Sequence, residues 1–259
     1  MGFLGTLIVN LLSVFLPING VTPGELSDAL GNFFVPAGLT FMIWNVIYVA
    51  LLGLTIYSVK SWFIKGEEPP EFLDKMGIEF ILASIANIAW IFFWHYQIVY
   101  LSLIAMLVLL GSLMSLYIRL GIGKNEEATR TEKWLVHIPI SIYFGWITIA
   151  TVANVTALFV DLGWDYVIAP SIFWEVVWTI IIIAVATIIT LLTLWLRKDI
   201  AYSLVVIWSL AGIIIKRVTS VPFTLGIIIA AGVGIGLILV MMGLTIYRMI
   251  PKKEEISVS

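Results

Sequence analysis

Apolar residues fall along this chain in eight long blocks, at about 2–17, 36–58, 77–95, 98–119, 134–158, 173–196, 200–216 and 223–249. Polar and charged residues collect between them. A hydrocarbon core of roughly 30 Å takes about 20 apolar residues as a helix, whereas a spanning strand alternates polar and apolar positions. The blocks do not alternate, so they predict an all-α polytopic membrane protein with about eight spans. Only His95, Tyr96 and Gln97 separate the third block from the fourth, which predicts a tight helical hairpin. The first block has no preceding Lys or Arg and no A-x-A-like site after it. It therefore reads as a retained helix and not as a cleaved signal peptide.

Charge gives this pattern a direction. Lys60, Lys65 and Lys75 follow the second block, and Arg119, Lys124, Arg130 and Lys133 follow the fourth. Arg197 and Lys198 follow the sixth, and Arg248, Lys252 and Lys253 the eighth. With eight spans, these 12 of the 14 basic residues share one side. Lys and Arg concentrate in cytoplasmic loops, so both termini are expected in the cytoplasm, and the expected location is a prokaryotic cell membrane. The opposite loops, 18–35, 95–97 and 159–172, carry no Lys or Arg and hold Glu25, Asp28, Asp161 and Asp165. Lys216 and Arg217 alone break the rule. Loop 18–35 is longer than most helix connections and is rich in Gly and Pro, as an ordered surface loop would be.

Composition agrees and narrows the chemistry. Hydrophobic residues make up 61% and charged residues 12% of the 259 residues, with a mean hydropathy of +1.10. Absence of cysteine excludes disulfides and thiolate chemistry. No basic cluster points to nucleic acid. Ionisable groups inside a membrane mark proton relays and ion paths, but Glu79, Glu175, His95 and His137 all fall at block ends. That argues against a proton-coupled pump. Glu175, between Trp174 and Trp178, fits a water-facing helix N-terminus.

Three blocks carry aromatic and polar residues at helical spacing. The second has Phe41, Trp44 and Tyr48; the third has Asn87, Trp90 and Trp94; the fifth has Pro139, Tyr143, Trp146, Ala150 and Asn154. Spacings of three and four put each set on one helix face, and the topology brings most of them to one depth beneath the first loop. An unpaired amide in lipid costs several kcal/mol, and indole N–H and phenol O–H groups also need partners. One reading is a flat-walled, largely apolar pocket for a planar ligand. The other is packing, with asparagines holding helices together. Trp62, Trp134, Trp164, Trp174 and Trp195 lie near block ends, where interfacial belts occur.

The pattern resembles the TspO/MBR family, the tryptophan-rich sensory or translocator proteins. Pro36, Gly38, Phe41, Trp44 and Tyr48 match a P-x-G-x-x-F-x-x-W-x-x-x-Y signature. Asn87 and Trp90, followed by Phe92, Phe93 and Trp94, are similar to the family's third-helix segment, and Trp146, Ala150 and Asn154 to its fifth. The resemblance covers about residues 1–158 and implies a five-helix bundle that binds tetrapyrroles, such as protoporphyrin or haem, with frequent dimerisation. It implies no obligatory cofactor, metal or settled catalytic activity, although light-dependent porphyrin breakdown has been proposed for the family. Ligand contact carries over to Phe41, Trp44, Tyr48, Asn87, Trp90, Tyr143, Trp146, Ala150 and Asn154. No Tyr followed by Lys or Arg comes after Asn154, so a sterol motif of the usual form is absent.

Residues 159–259 form an expected three-helix extension of a 1–158 domain. Gly232 and Gly236 make a G-x-x-x-G pair in the last block, which suits close helix packing within the chain or in a homodimer. No phosphate-binding loop or H-E-x-x-H occurs. The leading expectation is a receptor or carrier for a planar hydrophobic ligand. A transporter of a small hydrophobic solute and a light- or oxygen-dependent porphyrin-degrading enzyme are the alternatives.

Overall fold

A computed structural model describes residues 2–16, 18–29, 31–64, 68–163 and 171–250. Its described elements are helices: α1 (Gly2–Phe15), α2 (Pro23–Ala29), α3 (Ile43–Phe63), α4 (Phe72–Met76), α5 (Glu79–His95), α6 (Val99–Arg119), a single turn α7 (Arg130–Glu132), α8 (Ile138–Asp161), α9 (Ile172–Arg197), α10 (Ile200–Thr219) and α11 (Leu225–Met249). Six stretches are long and apolar enough to cross a membrane: Gly38–Lys60, Val99–Arg119, Arg130–Asp161, Ile172–Arg197, Ile200–Thr219 and Leu225–Met249. The 14-residue α1 and 17-residue α5 are also apolar. At 1.5 Å per residue they fall somewhat short of a roughly 30 Å core. This is an all-α polytopic membrane protein. Trp164, Asp165, Lys65, Lys252 and Lys253 lie outside the described residues, as does the side chain of Trp62. Trp134, Trp174 and Trp195 are exposed at helix ends, as belt residues would be.

Local chemistry sets the joints. The expected α5–α6 hairpin closes through Tyr96–Ile98, with Gln97 in the left-handed region at φ 56°. Lys198 takes the same conformation between α9 and α10, and the Asp199 carboxylate caps α10 by accepting from Tyr202 N at 3.0 Å. The long first loop holds a helix that apolar periodicity did not indicate. Thr22 and Glu25 form a reciprocal capping box at the start of α2: Glu25 Oε2 accepts from Thr22 N at 2.7 Å, and Thr22 Oγ1 accepts from Glu25 N at 3.3 Å. The backbone hydrogen bond from Thr22, then its hydroxyl, hold the Glu25 carboxyl below its ordinary pKa. The 36–48 signature does not begin as regular helix. Gly38–Met42 is a 3₁₀ turn, so Phe41 precedes α3 proper. The fifth block is entered through a π-helical turn at Lys133–His137.

Two apolar clusters share α8. One contains Ile47, Leu51, Ile91, Met106, Leu109, Leu113, Ile140 and Ile147 from α3, α5, α6 and α8. The other joins α9, α10 and α11 through Ile183, Val206, Leu210, Ile227, Ala231 and Ile238, and takes in Phe34 from the first loop. α10 presses on α8 and on the 3₁₀ turn. A Cβ at Gly145 would lie 3.1 Å from Tyr202 O, and one at Gly212 would overlap Thr40 Oγ1. Ala37 N donates to Gly212 O at 3.0 Å, and Trp208 Nε1 to Thr40 O at 2.9 Å. In α11, Gly234 packs against Thr187 and Leu210, while nothing lies within 4 Å of a Cβ at Gly232 or Gly236. Among the described residues the G-x-x-x-G pair therefore has open space where its side chains would point. Many hydroxyls in the bundle donate to the carbonyl one turn back in their own helix, among them Thr148, Thr151, Thr187 and Thr190, so they need no partner from elsewhere.

Candidate functional site

At the end of the bundle carrying the first loop, the three aromatic stripes meet. Trp44 stacks on Tyr48, one turn along α3, with centroids 5.5 Å apart and planes at 16°. Trp90 of α5 lies against Trp44 at 6.2 Å, and Trp94 against Trp90 at 6.2 Å. From α8, Trp146 meets Trp44 edge-on at 6.1 Å and Phe41 at 5.9 Å, while Tyr143 approaches Trp44 at 6.0 Å. Stacked and edge-to-face pairs each add about 0.5–1.5 kcal/mol beyond area burial. The rings thus brace one another as stiff walls.

Buried amides tie these walls together. Asn10 Nδ2 donates to Asn87 Oδ1 at 2.7 Å, and Asn87 Nδ2 donates to the Tyr143 hydroxyl at 3.1 Å. Asn154 Oδ1 accepts from Trp90 Nε1 at 3.2 Å and Ser102 Oγ at 2.7 Å, while its Nδ2 donates to Ala150 O at 2.9 Å. Trp94 Nε1 reaches up to Pro23 O in α2 at 3.2 Å. Among the described residues Trp146 Nε1 and the Tyr48 hydroxyl, like Thr40 Oγ1 nearby, are buried without a partner. A buried polar group without one costs about 1–3 kcal/mol.

Between the walls is a cavity of about 570 Å³, its open mouth included. Phe41, Trp44, Trp90, Trp94, Trp146, Ala150 and Asn154 line one side. Pro23, Ser27, Phe34 and Pro36 of the first loop lie over it, and Ser209 and Ile213 of α10 close the other side with Ile149 and Ala153. Of the nine expected ligand contacts, six line this space: Phe41, Trp44, Trp90, Trp146, Ala150 and Asn154. Tyr48, Asn87 and Tyr143 stand behind the wall, stacked or hydrogen-bonded to its members.

The stripes gave no hint of Phe34, Ser209 or Ile213. Phe34 is in a segment without periodicity, and Ile213 is one isoleucine among many. The small residues Ser209 and Gly212, three apart on α10, were a readable sign of close approach by that helix. The first loop is fastened over the cavity from α10 as well. Lys216 Nζ donates to Asp28 Oδ1 at 2.9 Å, and the Arg217 guanidinium lies over the Phe33 ring at 5.0 Å. The two basic residues that broke the charge pattern are thus contacts to the loop.

The described lining contains no carboxylate or imidazole. Among the described residues, no group of three His, Cys, Asp or Glu could hold a metal ion. What the geometry offers is an aromatic-walled, largely apolar cleft beside a buried indole N–H that is unpartnered among the described residues. A family model described as TSPO-like protein matches residues 1–244, so the match runs on through the last three helices, beyond the 1–158 reach of the motifs. No curated protein and no solved structure gives a match.

Proposed function

The chain belongs to the TSPO-like protein family, and from that premise we propose that it is a membrane receptor or carrier for a planar hydrophobic ligand, with a tetrapyrrole as the best fit. The observation that carries this reading is the aromatic-walled cavity between Trp44, Trp90 and Trp146, beside which Trp146 Nε1 is buried and unpartnered among the described residues. An apolar space flanked by stiff aromatic faces favours a flat molecule that stacks on them. An acceptor on that molecule would satisfy the indole N–H and recover the cost of its burial. The described lining is aromatic and aliphatic with few polar groups, so a porphyrin would be held chiefly by its ring faces.

Titration with protoporphyrin IX, followed by quenching of tryptophan fluorescence in detergent, tests the proposal. The expected outcome is saturable binding, with Trp44→Ala and Trp146→Ala each weakening it about tenfold or more, since 1.4 kcal/mol is a factor of ten. Lys60→Ala should leave it unchanged. Equal effects from all three variants would move the ligand away from this cavity.

A further inference from the structure

Arg217 is only 5% exposed, yet among the described residues its Nε has no hydrogen-bond partner and the guanidinium makes no ion pair within 4 Å. A cation is rarely left in that state, because burying an unpaired charge is far costlier than burying an unpaired amide. Its neighbours show where it stands. Arg217 lies one helical turn beyond Ile213, a cavity-lining residue of α10. Its guanidinium covers Phe33, next in sequence to the lining residue Phe34. Asp28, whose charge acts on Arg217, follows the lining residue Ser27, but its Oδ1 is engaged by Lys216 at 2.9 Å. The other acid on α2, Glu25, is engaged by Thr22. Of the two cations at the rim where α2, residues 31–37 and α10 meet, Lys216 alone therefore has a direct ion pair among the described residues.

Resting on the reading above, we infer that the ligand of this cavity carries an anionic group, a carboxylate at its periphery, and that Arg217 is the specificity-determining residue that receives it. The planar body lies against the tryptophans, and the carboxylate reaches the rim, where the guanidinium offers several N–H donors in one plane. Burial separates this role from contact with lipid headgroups. Lys216 is partly exposed at the same helix end, whereas Arg217 is covered by the first loop. The apolar floor and the cationic rim together select an amphipathic flat acid over its neutral analogue.

The test compares protoporphyrin IX with its dimethyl ester, on wild type, Arg217→Met and Arg217→Lys. Wild type is expected to bind the acid about tenfold more tightly than the ester, in line with a charge-assisted hydrogen bond. Arg217→Met should erase that preference while ester binding persists, which also shows that the variant is folded. Arg217→Lys should retain part of it. Equal wild-type affinity for acid and ester overturns the inference and leaves the ligand-binding proposal standing. Failure of both compounds to bind overturns the two together. Loss of the acid preference in wild type on adding phosphatidylglycerol would assign the guanidinium to lipid phosphate and likewise overturn it.

Discussion

The two ends of the bundle both bury polar groups, but they treat them differently. At the end opposite the first loop, Asp199 is 6% exposed and fully engaged. Its Oδ2 accepts from the Tyr117 hydroxyl at 2.8 Å and Ser141 Oγ at 2.6 Å, and its Oδ1 accepts from Tyr202 N at 3.0 Å. Arg197 lies over the Tyr117 ring at 5.5 Å. Those contacts join α6, α8 and α10 without a gap. At the loop end, Trp146 Nε1, the Tyr48 hydroxyl and Arg217 Nε are buried without partners among the described residues, and an open cavity runs between the walls; Glu79 Oε2 and His137 Nε2, unpartnered at the other end, do not line it. A satisfied buried network rigidifies a fold, whereas an unsatisfied one beside a cavity is a cost that a ligand can remove. On this comparison the Asp199 end is structural and the loop end binds.

Removing the centre of the satisfied network should have the largest effect. Asp199→Ala strands two hydroxyls and the first turn of α10, and is expected to cost about 3 kcal/mol or more, read as a drop in thermal midpoint in detergent. A midpoint equal to wild type would mean that this end is not the anchor. Next comes the joint between the ends. Gly212→Ala forces α10 away from Thr40, with an expected loss of about 1–3 kcal/mol and weaker porphyrin binding, because Ser209 and Ile213 move with the helix. Stability and affinity falling together would sharpen the comparison; an unchanged affinity would detach α10 from the site.

The smallest effect should be at α2. The folded Glu25 has a lowered pKa, because hydrogen bonds from Thr22 favour its carboxylate. Its contribution is therefore fully present above the unfolded carboxyl pKa and lost as pH falls through the folded value. Amide hydrogen exchange over residues 23–29, corrected for intrinsic rates, should accelerate in acid. Glu25→Gln should show much of that acceleration at neutral pH.

How much of this was legible in the sequence follows from what each feature depends on. Unalternated apolar runs give helices whatever their neighbours, so α5, α6 and α9 lie close to their expected bounds. The stripes on α3, α5 and α8 converge because helical spacing is local, and Trp44, Trp90 and Trp146 do meet. Other features depend on contacts between distant segments. α10 becomes a wall only through Gly212 meeting Thr40, and no periodicity reports that. The signature's start tightens to a 3₁₀ turn where Ala37 and Thr40 dock on α10. Thr22-Pro-Gly-Glu25, a readable capping box, marked α2 in a loop judged by its glycines and prolines. Tyr48, Asn87 and Tyr143 share faces with the lining residues, but depth decides that they brace the wall from behind.

The most direct test pairs one variant from each end, Trp146→Phe and Asp199→Asn, and measures both protoporphyrin IX affinity and thermal midpoint for each. The account predicts that Trp146→Phe loses about fivefold in affinity, the worth of one neutral hydrogen bond, with little change in midpoint. Asp199→Asn should lower the midpoint with affinity kept. If Trp146→Phe leaves affinity intact, or Asp199→Asn weakens binding as much as it does, the assignment of one end to binding and the other to structure is wrong.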